Sequence, residues 1–338
     1  MASVRARPEG SAVGVGAMLT SVVVIQTGAS FGKRLIDEVP GPMAAVWLRL
    51  GTAAVIMLIF WGVRALVEWG RRRRGLGSAL ILKPASSAPR PAYALPVTVV
   101  FCVVMLTMNT TIYEAFDRIP VGIAITLEFL GPLGVAIAGS IRRGRRLAAG
   151  VRGHSLAGDL VLVGCAGAGV ALLGVRPASL DGVGVLFALI AAACWAGYIT
   201  LGGRVAAWYP SPYVLTTAWT VALLGFAVPA MAPHGSGFLT WHVLGLGAVV
   251  ALSTSTVPTM LELFALGRVP AGLFAILESL APAVAALAAW PLVGERLDAT
   301  DWIAICLVVL ASIGATYSNA RHPVPEGTPV DGAVTADS

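Results

Sequence analysis

The chain reads as an all-α polytopic membrane protein whose ten transmembrane helices form two inverted five-helix repeats. Three observations predict it. Of the 338 residues, 57% are hydrophobic and only 12% are charged, against about 25% charged in an ordinary soluble domain. The apolar residues gather into ten runs of 18 to 24 residues that hold only seven charges between them, and about 20 apolar residues cross a ~30 Å hydrocarbon core as a helix. Finally, Arg118–Pro132 (RIPVGIAITLEFLGP) matches Arg268–Pro282 (RVPAGLFAILESLAP) at seven of fifteen positions. A soluble enzyme, a DNA-binding module and a secreted disulfide scaffold are excluded.

The first run, 12–32, is uncharged and follows Arg5 and Arg7, as a signal peptide would; with nine runs behind it, it reads as an uncleaved first helix. Run 42–62 opens on Pro42 and holds Arg49, run 94–114 holds Asn109, and run 121–141 holds Glu128 with Pro132 four residues later. Run 156–174 closes the first half, 12–175. In the second half, 176–318, runs 182–203 and 212–232 are uncharged, 242–265 holds Glu262, 271–291 holds Glu278 with Pro282 four residues later, and 301–318 is last. A short tail (1–11) precedes them, and a tail rich in Pro, Gly and Thr (319–338) reads as disordered. The basic linker 63–93 explains why the offset between the halves is 170 before it, where Pro40 and Pro42 meet Pro210 and Pro212, but 150 after it. Five is odd, so the second half enters the membrane from the opposite side, the device that lets a transporter exchange inward-open and outward-open shapes.

With alternating spans and a cytoplasmic N-terminus, 17 Lys/Arg fall inside and five outside, so the positive-inside rule places both termini in the cytoplasm of a cell-membrane protein. The net charge of +6 therefore marks topology, with Arg71–Arg74 facing anionic lipid, and implies no nucleic acid. Cys102, Cys165, Cys194 and Cys306 lie within runs without paired spacing, which predicts neither disulfide nor metal. Neither G-x-x-x-x-G-K-[ST] nor H-E-x-x-H occurs, so no nucleotide or other cofactor is implied. Gly28-Ala29-Ser30-Phe31-Gly32 fits G-x-S-x-G, but it ends a membrane helix instead of joining a strand to a helix; a membrane enzyme using Ser30 is the remote alternative.

Glu114, Asp159, Glu262 and Asp301 lie close enough to span ends to reach the interface, whereas Arg49, Glu128 and Glu278 are each the eighth residue of a span. A charge near the bilayer centre costs at least ~2.5 kcal/mol and needs a cavity or a partner. Glu128 and Glu278 lie ~10 Å below opposite surfaces and straddle the midplane by ~9 Å. Pro132 and Pro282 cannot donate to the carbonyls of Glu128 and Glu278, so each helix should break there, with Gly131 beside the first break. The alternative is a kinked helix whose Glu is tied to a neighbour. Arg49 aligns with Trp219 in the repeat. It either pairs with Glu128, leaving Glu278 as the proton carrier, or holds a substrate carboxylate. Gln26, Asn109, Trp195, Tyr198, Thr254, Ser255 and Glu262 either contact a polar solute or serve packing and helix–helix hydrogen bonds. Small-residue pairs such as Gly164/Ala168 and Ala311/Ala315 allow close packing and a possible homodimer face.

These features resemble the EamA-type transporters of the drug/metabolite transporter superfamily. Ile119-Pro120-Val121-Gly122 followed by Leu127-Glu128-Phe129-Leu130-Gly131-Pro132-Leu133-Gly134-Val135-Ala136 is similar to the bacterial threonine/homoserine exporters of that superfamily, as are Leu277-Glu278-Ser279-Leu280-Ala281-Pro282 and Leu292-Val293-Gly294-Glu295. The resemblance covers about 12–318. It implies a ten-helix permease that expels small amino acids against proton entry; a broader drug or metabolite exporter is the alternative within the superfamily.

Overall fold

Proline and glycine punctuate the chain where the runs end. In the computed structural model the described residues are 8–74, 90–135, 180–232, 235–266, 269 and 271–321, with isolated positions between 138 and 172. The secondary structure among them is helical. Helix α1 (Pro8–Glu38) turns at Gly41, whose φ of 103° no side-chain-bearing residue adopts readily, into α2 (Pro42–Arg73), which has Pro42 in its first turn. After α3 (Ala94–Arg118), Ile119 is extended before Pro120, and α4 (Val121–Glu128) follows.

In the second half, α5 (Gly182–Trp208) is capped by the Asp181 carboxylate, which accepts from the Val183 N–H at 2.9 Å. It leads to α6 (Ser211–Gly225) and α7 (Ala227–Met231). Then come α8 (Trp241–Ala251), a π turn over Leu252–Thr256, and α9 (Val257–Leu266). The chain closes with α10 (Ala271–Glu278), α11 (Ala281–Val293) and α12 (Ala299–Arg321). Asp298 and Asp301 cap α12 reciprocally, each carboxylate accepting from the other's N–H at 2.9 and 3.0 Å.

Among the described residues, five helices are long and apolar enough to cross a membrane, and four shorter apolar helices accompany them. Each of these nine lies on one predicted run. The tenth run, 156–174, lies outside the described residues apart from isolated positions, as do most of both tails. The first part of the linker 63–93 is helical, because α2 continues to Arg73. Ala65, Leu66 and Glu68 favour helix, Arg72 approaches Glu68 at 3.6 Å, and three arginines sit at the negative end of the helix dipole. Residues 75–89 of that linker lie outside the described residues.

Helix α1 packs against elements of both halves, among them α8, α9, α10 and α11 as well as α2 and α3, while α3 lies along α5. Large apolar side chains such as Leu58, Ile59, Val99, Val103, Leu186 and Leu310 are exposed on the periphery, the arrangement that lipid stabilises. One end of the bundle is laced by polar contacts between connections. Lys33 donates to the Phe116 carbonyl and Arg34 to the Leu292 carbonyl. Arg118 Nε is 3.9 Å from Asp181, His242 is 3.8 Å from Glu38, and Glu295 accepts from the Val121 N–H. At the other end Arg90 donates to the Trp208 carbonyl at 2.9 Å and stacks on Tyr209.

Candidate functional site

Helix α4 ends at Glu128 and α10 at Glu278. Proline four residues later cannot donate to the glutamate carbonyl, so the helix restarts beyond it. Leu133 N–H donates to Phe129 at 3.3 Å after the first break, and Val284 N–H donates to Leu280 at 3.0 Å after the second. Gly131 has a steric role as well: a Cβ there would collide with the Ala192 carbonyl of α5. Trp195 packs edge-on against Phe129 with ring centroids 5.2 Å apart, so it serves packing at the break.

Two polar clusters flank these breaks. In the first, the Arg49 guanidinium lies over the Tyr113 ring at 5.3 Å from its centroid. Arg49 Nε is buried with no hydrogen-bond partner, and the buried Tyr113 hydroxyl faces the Arg49 guanidinium. Glu128 is 8% exposed and within electrostatic reach of Arg49, but no ion pair joins the two among the described residues. The contact that Arg49 does make is with the ring of Tyr113, which nothing in the sequence singles out. Tyr113 lies one turn beyond Asn109 on α3, and its hydroxyl occupies the space that the absent side chain of Gly32 leaves.

The second cluster contains Glu262, Glu278, Ser21 and Tyr198. Ser21, fully buried on α1, donates to Glu262 Oε1 at 3.0 Å, so Glu262 turns inward instead of reaching for the interface. Glu278 lies near enough to feel its charge and keeps Oε2 buried without a partner. Tyr198 also feels Glu262, stacks on Phe101 at 5.0 Å, and lines a cavity of about 260 Å³ with Ile199, Gly202 and Leu215.

Two of the remaining candidates are tied locally. Asn109 donates to the Met105 carbonyl at 2.8 Å, and Thr254 donates to Val250 at 2.7 Å within the π turn. Gln26 is 5% exposed with its Oε1 unpartnered, and Ser255 is buried. Ser30 is fully buried in continuous helix and donates to the Gln26 carbonyl at 3.3 Å, a setting that offers no nucleophile elbow. Ala311 is 1% exposed within its own chain.

The first cluster offers a guanidinium, a phenol and a carboxylate, complementary to a zwitterion. The second offers two carboxylates that repel when both are charged, a repulsion that a shared proton or cation relieves.

The family model for the EamA-like transporter family matches residues 182–317. The threonine/homoserine exporter RhtA of Salmonella typhimurium (strain LT2) is 30% identical over 312 residues, covering 90% of this chain and 92% of that protein. Its namesake from Escherichia coli (strain K12) is 30% identical over 307 residues, covering 89% and 90%.

Proposed function

The chain belongs to the EamA-like transporter family, and from that premise we propose that it exports a small neutral amino acid of the threonine or homoserine kind across the cytoplasmic membrane in exchange for protons. The observation that carries the reading is the pair of proline-broken helices, one ending on the buried Glu128 and the other on Glu278, whose Oε2 is buried. Such broken helices line binding sites in secondary transporters because the break leaves backbone acceptors that a solute can use.

In this reading the Arg49 guanidinium receives the substrate carboxylate and Glu128 its ammonium, with the Tyr113 hydroxyl completing the shell. Glu278 and Glu262 exchange a proton between them and the opposite face. The halves act as inverted repeats, and rocking about the breaks at Pro132 and Pro282 presents the solute to each side in turn. The names of the relatives support the cargo, and the unpartnered Arg49 Nε and Glu278 Oε2 support the site.

The test is labelled-threonine uptake into everted vesicles, run beside a panel of cationic dyes, with substrate-induced proton flux measured in proteoliposomes. Threonine or homoserine should drive proton movement that vanishes in Glu278→Gln. Dye transport without amino-acid transport would replace the cargo, and threonine transport insensitive to a pH gradient would remove the coupling.

A further inference from the structure

The N-terminus of α4 is capped from the other half of the chain. Pro120 supplies no side-chain cap to it. Instead the Glu295 carboxylate accepts from the Val121 N–H, at 3.1 Å to Oε1 and 2.8 Å to Oε2, and the Gly122 N–H reaches the same carboxylate. Gly294, in a left-handed turn at φ 79°, swings Glu295 back from the end of α11. Beside this contact, α4 and α11 touch through Gly122: a Cβ there would come within 3.0 Å of the Ala286 Cα. Helix α1 grips the same two connections, Lys33 donating to the Phe116 carbonyl and Arg34 to the Leu292 carbonyl. On its other side Glu295 borders a cavity of about 460 Å³ lined by Trp290, Arg296, Leu297 and Trp302, so the carboxylate has room to leave without displacing packed core.

We propose that Glu295 is a positioning residue that latches this end of the molecule: its carboxylate pins the start of α4 to α11 above Glu128, and the site opens towards this end only when that cap breaks. The inference rests on the alternating-access reading but not on the cargo. The latch is one-sided, because the residue 150 positions earlier is Arg145, a cation that a helix N-terminus repels.

Spin labels at positions 117 and 296, on a background with the four native cysteines replaced, report the separation of the two connections by pulsed electron–electron resonance in nanodiscs. Hydrogen–deuterium exchange of residues 121–124 in the otherwise native chain needs no such background. Glu295→Ala should lengthen the 117–296 distance and speed exchange at 121–124 about tenfold, and Glu295→Gln, which keeps one acceptor oxygen, should restore most of both. Unchanged distances and exchange in Glu295→Ala would overturn the latch. So would faster exchange without any change in distance, since that makes Glu295 a local cap alone. Neither readout needs a substrate, so a failed threonine assay leaves this result intact.

Discussion

Arg49 is a guanidinium held in an apolar bundle over a phenol ring, with one nitrogen unpartnered. Lysine retains the charge but loses the planar fork and the ring stacking. Arg49→Lys should therefore weaken amino-acid binding by about tenfold, roughly 1.4 kcal/mol, and Arg49→Gln should remove it, as read by direct binding to purified protein. Tyr113→Phe keeps the ring under the guanidinium and should cost less than Tyr113→Leu. Equal losses in the two would move the ring out of the site. The charged residues were legible in the sequence because a charge inside an apolar run is expensive and stands out. Tyr113 was not, since a tyrosine near a span end reads equally well as interfacial. Nor was the role of Glu295, because carboxylates are common in connections and nothing local tells which helix one of them caps. Pairing of Arg49 with Glu128 was a fair inference from depth alone, but depth does not fix azimuth, and a ring lies against the guanidinium instead.

The broken helices show which part of an element its own sequence controls. Proline removes a donor at a known spacing, so the ends of α4 and α10 at Glu128 and Glu278 could be read four residues ahead. The π turn over Leu252–Thr256 gave no comparable signal. There Ser253 and Thr254 donate to the Val249 and Val250 carbonyls, a competition with the backbone that many helical hydroxyls make without distortion. Gly28 of α1 approaches this turn so closely that a Cβ would strike Ser253 and Thr254, and that tertiary fit is invisible in either segment alone. If the breaks act as hinges, Pro132→Ala and Pro282→Ala, which restore a donor for the glutamate carbonyls, should hold thermal stability, while turnover in proteoliposomes falls. Gly131→Ala should instead lower stability by about 1–3 kcal/mol through overpacking against α5, seen as a lower unfolding midpoint.

At the level of the whole molecule, the lacing at one end bears on both pH and topology. Burial raises the pKa of Glu295 above its ordinary 4.5, and the Val121 N–H, Lys33 and the Gly122 N–H oppose that rise without cancelling it. The latched form then holds the proton more tightly than any form in which the carboxylate meets water. By linkage, acid favours the latched form, and its advantage is lost as pH rises from about 4.5 through the raised value. The 117–296 distance should lengthen with pH over that window in the native chain and stay flat in Glu295→Gln. Glu38, Glu114, Asp117, Asp181 and Asp298 are present in both proteins, so a difference between the two belongs to Glu295. The same end also carries the topological prediction. The polar contacts gather the connections around residues 33–41, 116–121, 181, 242 and 292–298, the five that the positive-inside count assigns to the outside, whereas Arg90, Trp208 and Tyr209 meet at the opposite end. Single cysteines at exposed positions 117 and 296 should react with a membrane-impermeant maleimide added to intact cells. Cysteines at positions 90 and 204 should react only in everted vesicles, where tags at both termini should also become accessible. Contacts alone say which connections share a face; only this labelling says which face meets the cytoplasm. A reversed pattern would keep every contact described and turn the proposed exporter's latch to the inside.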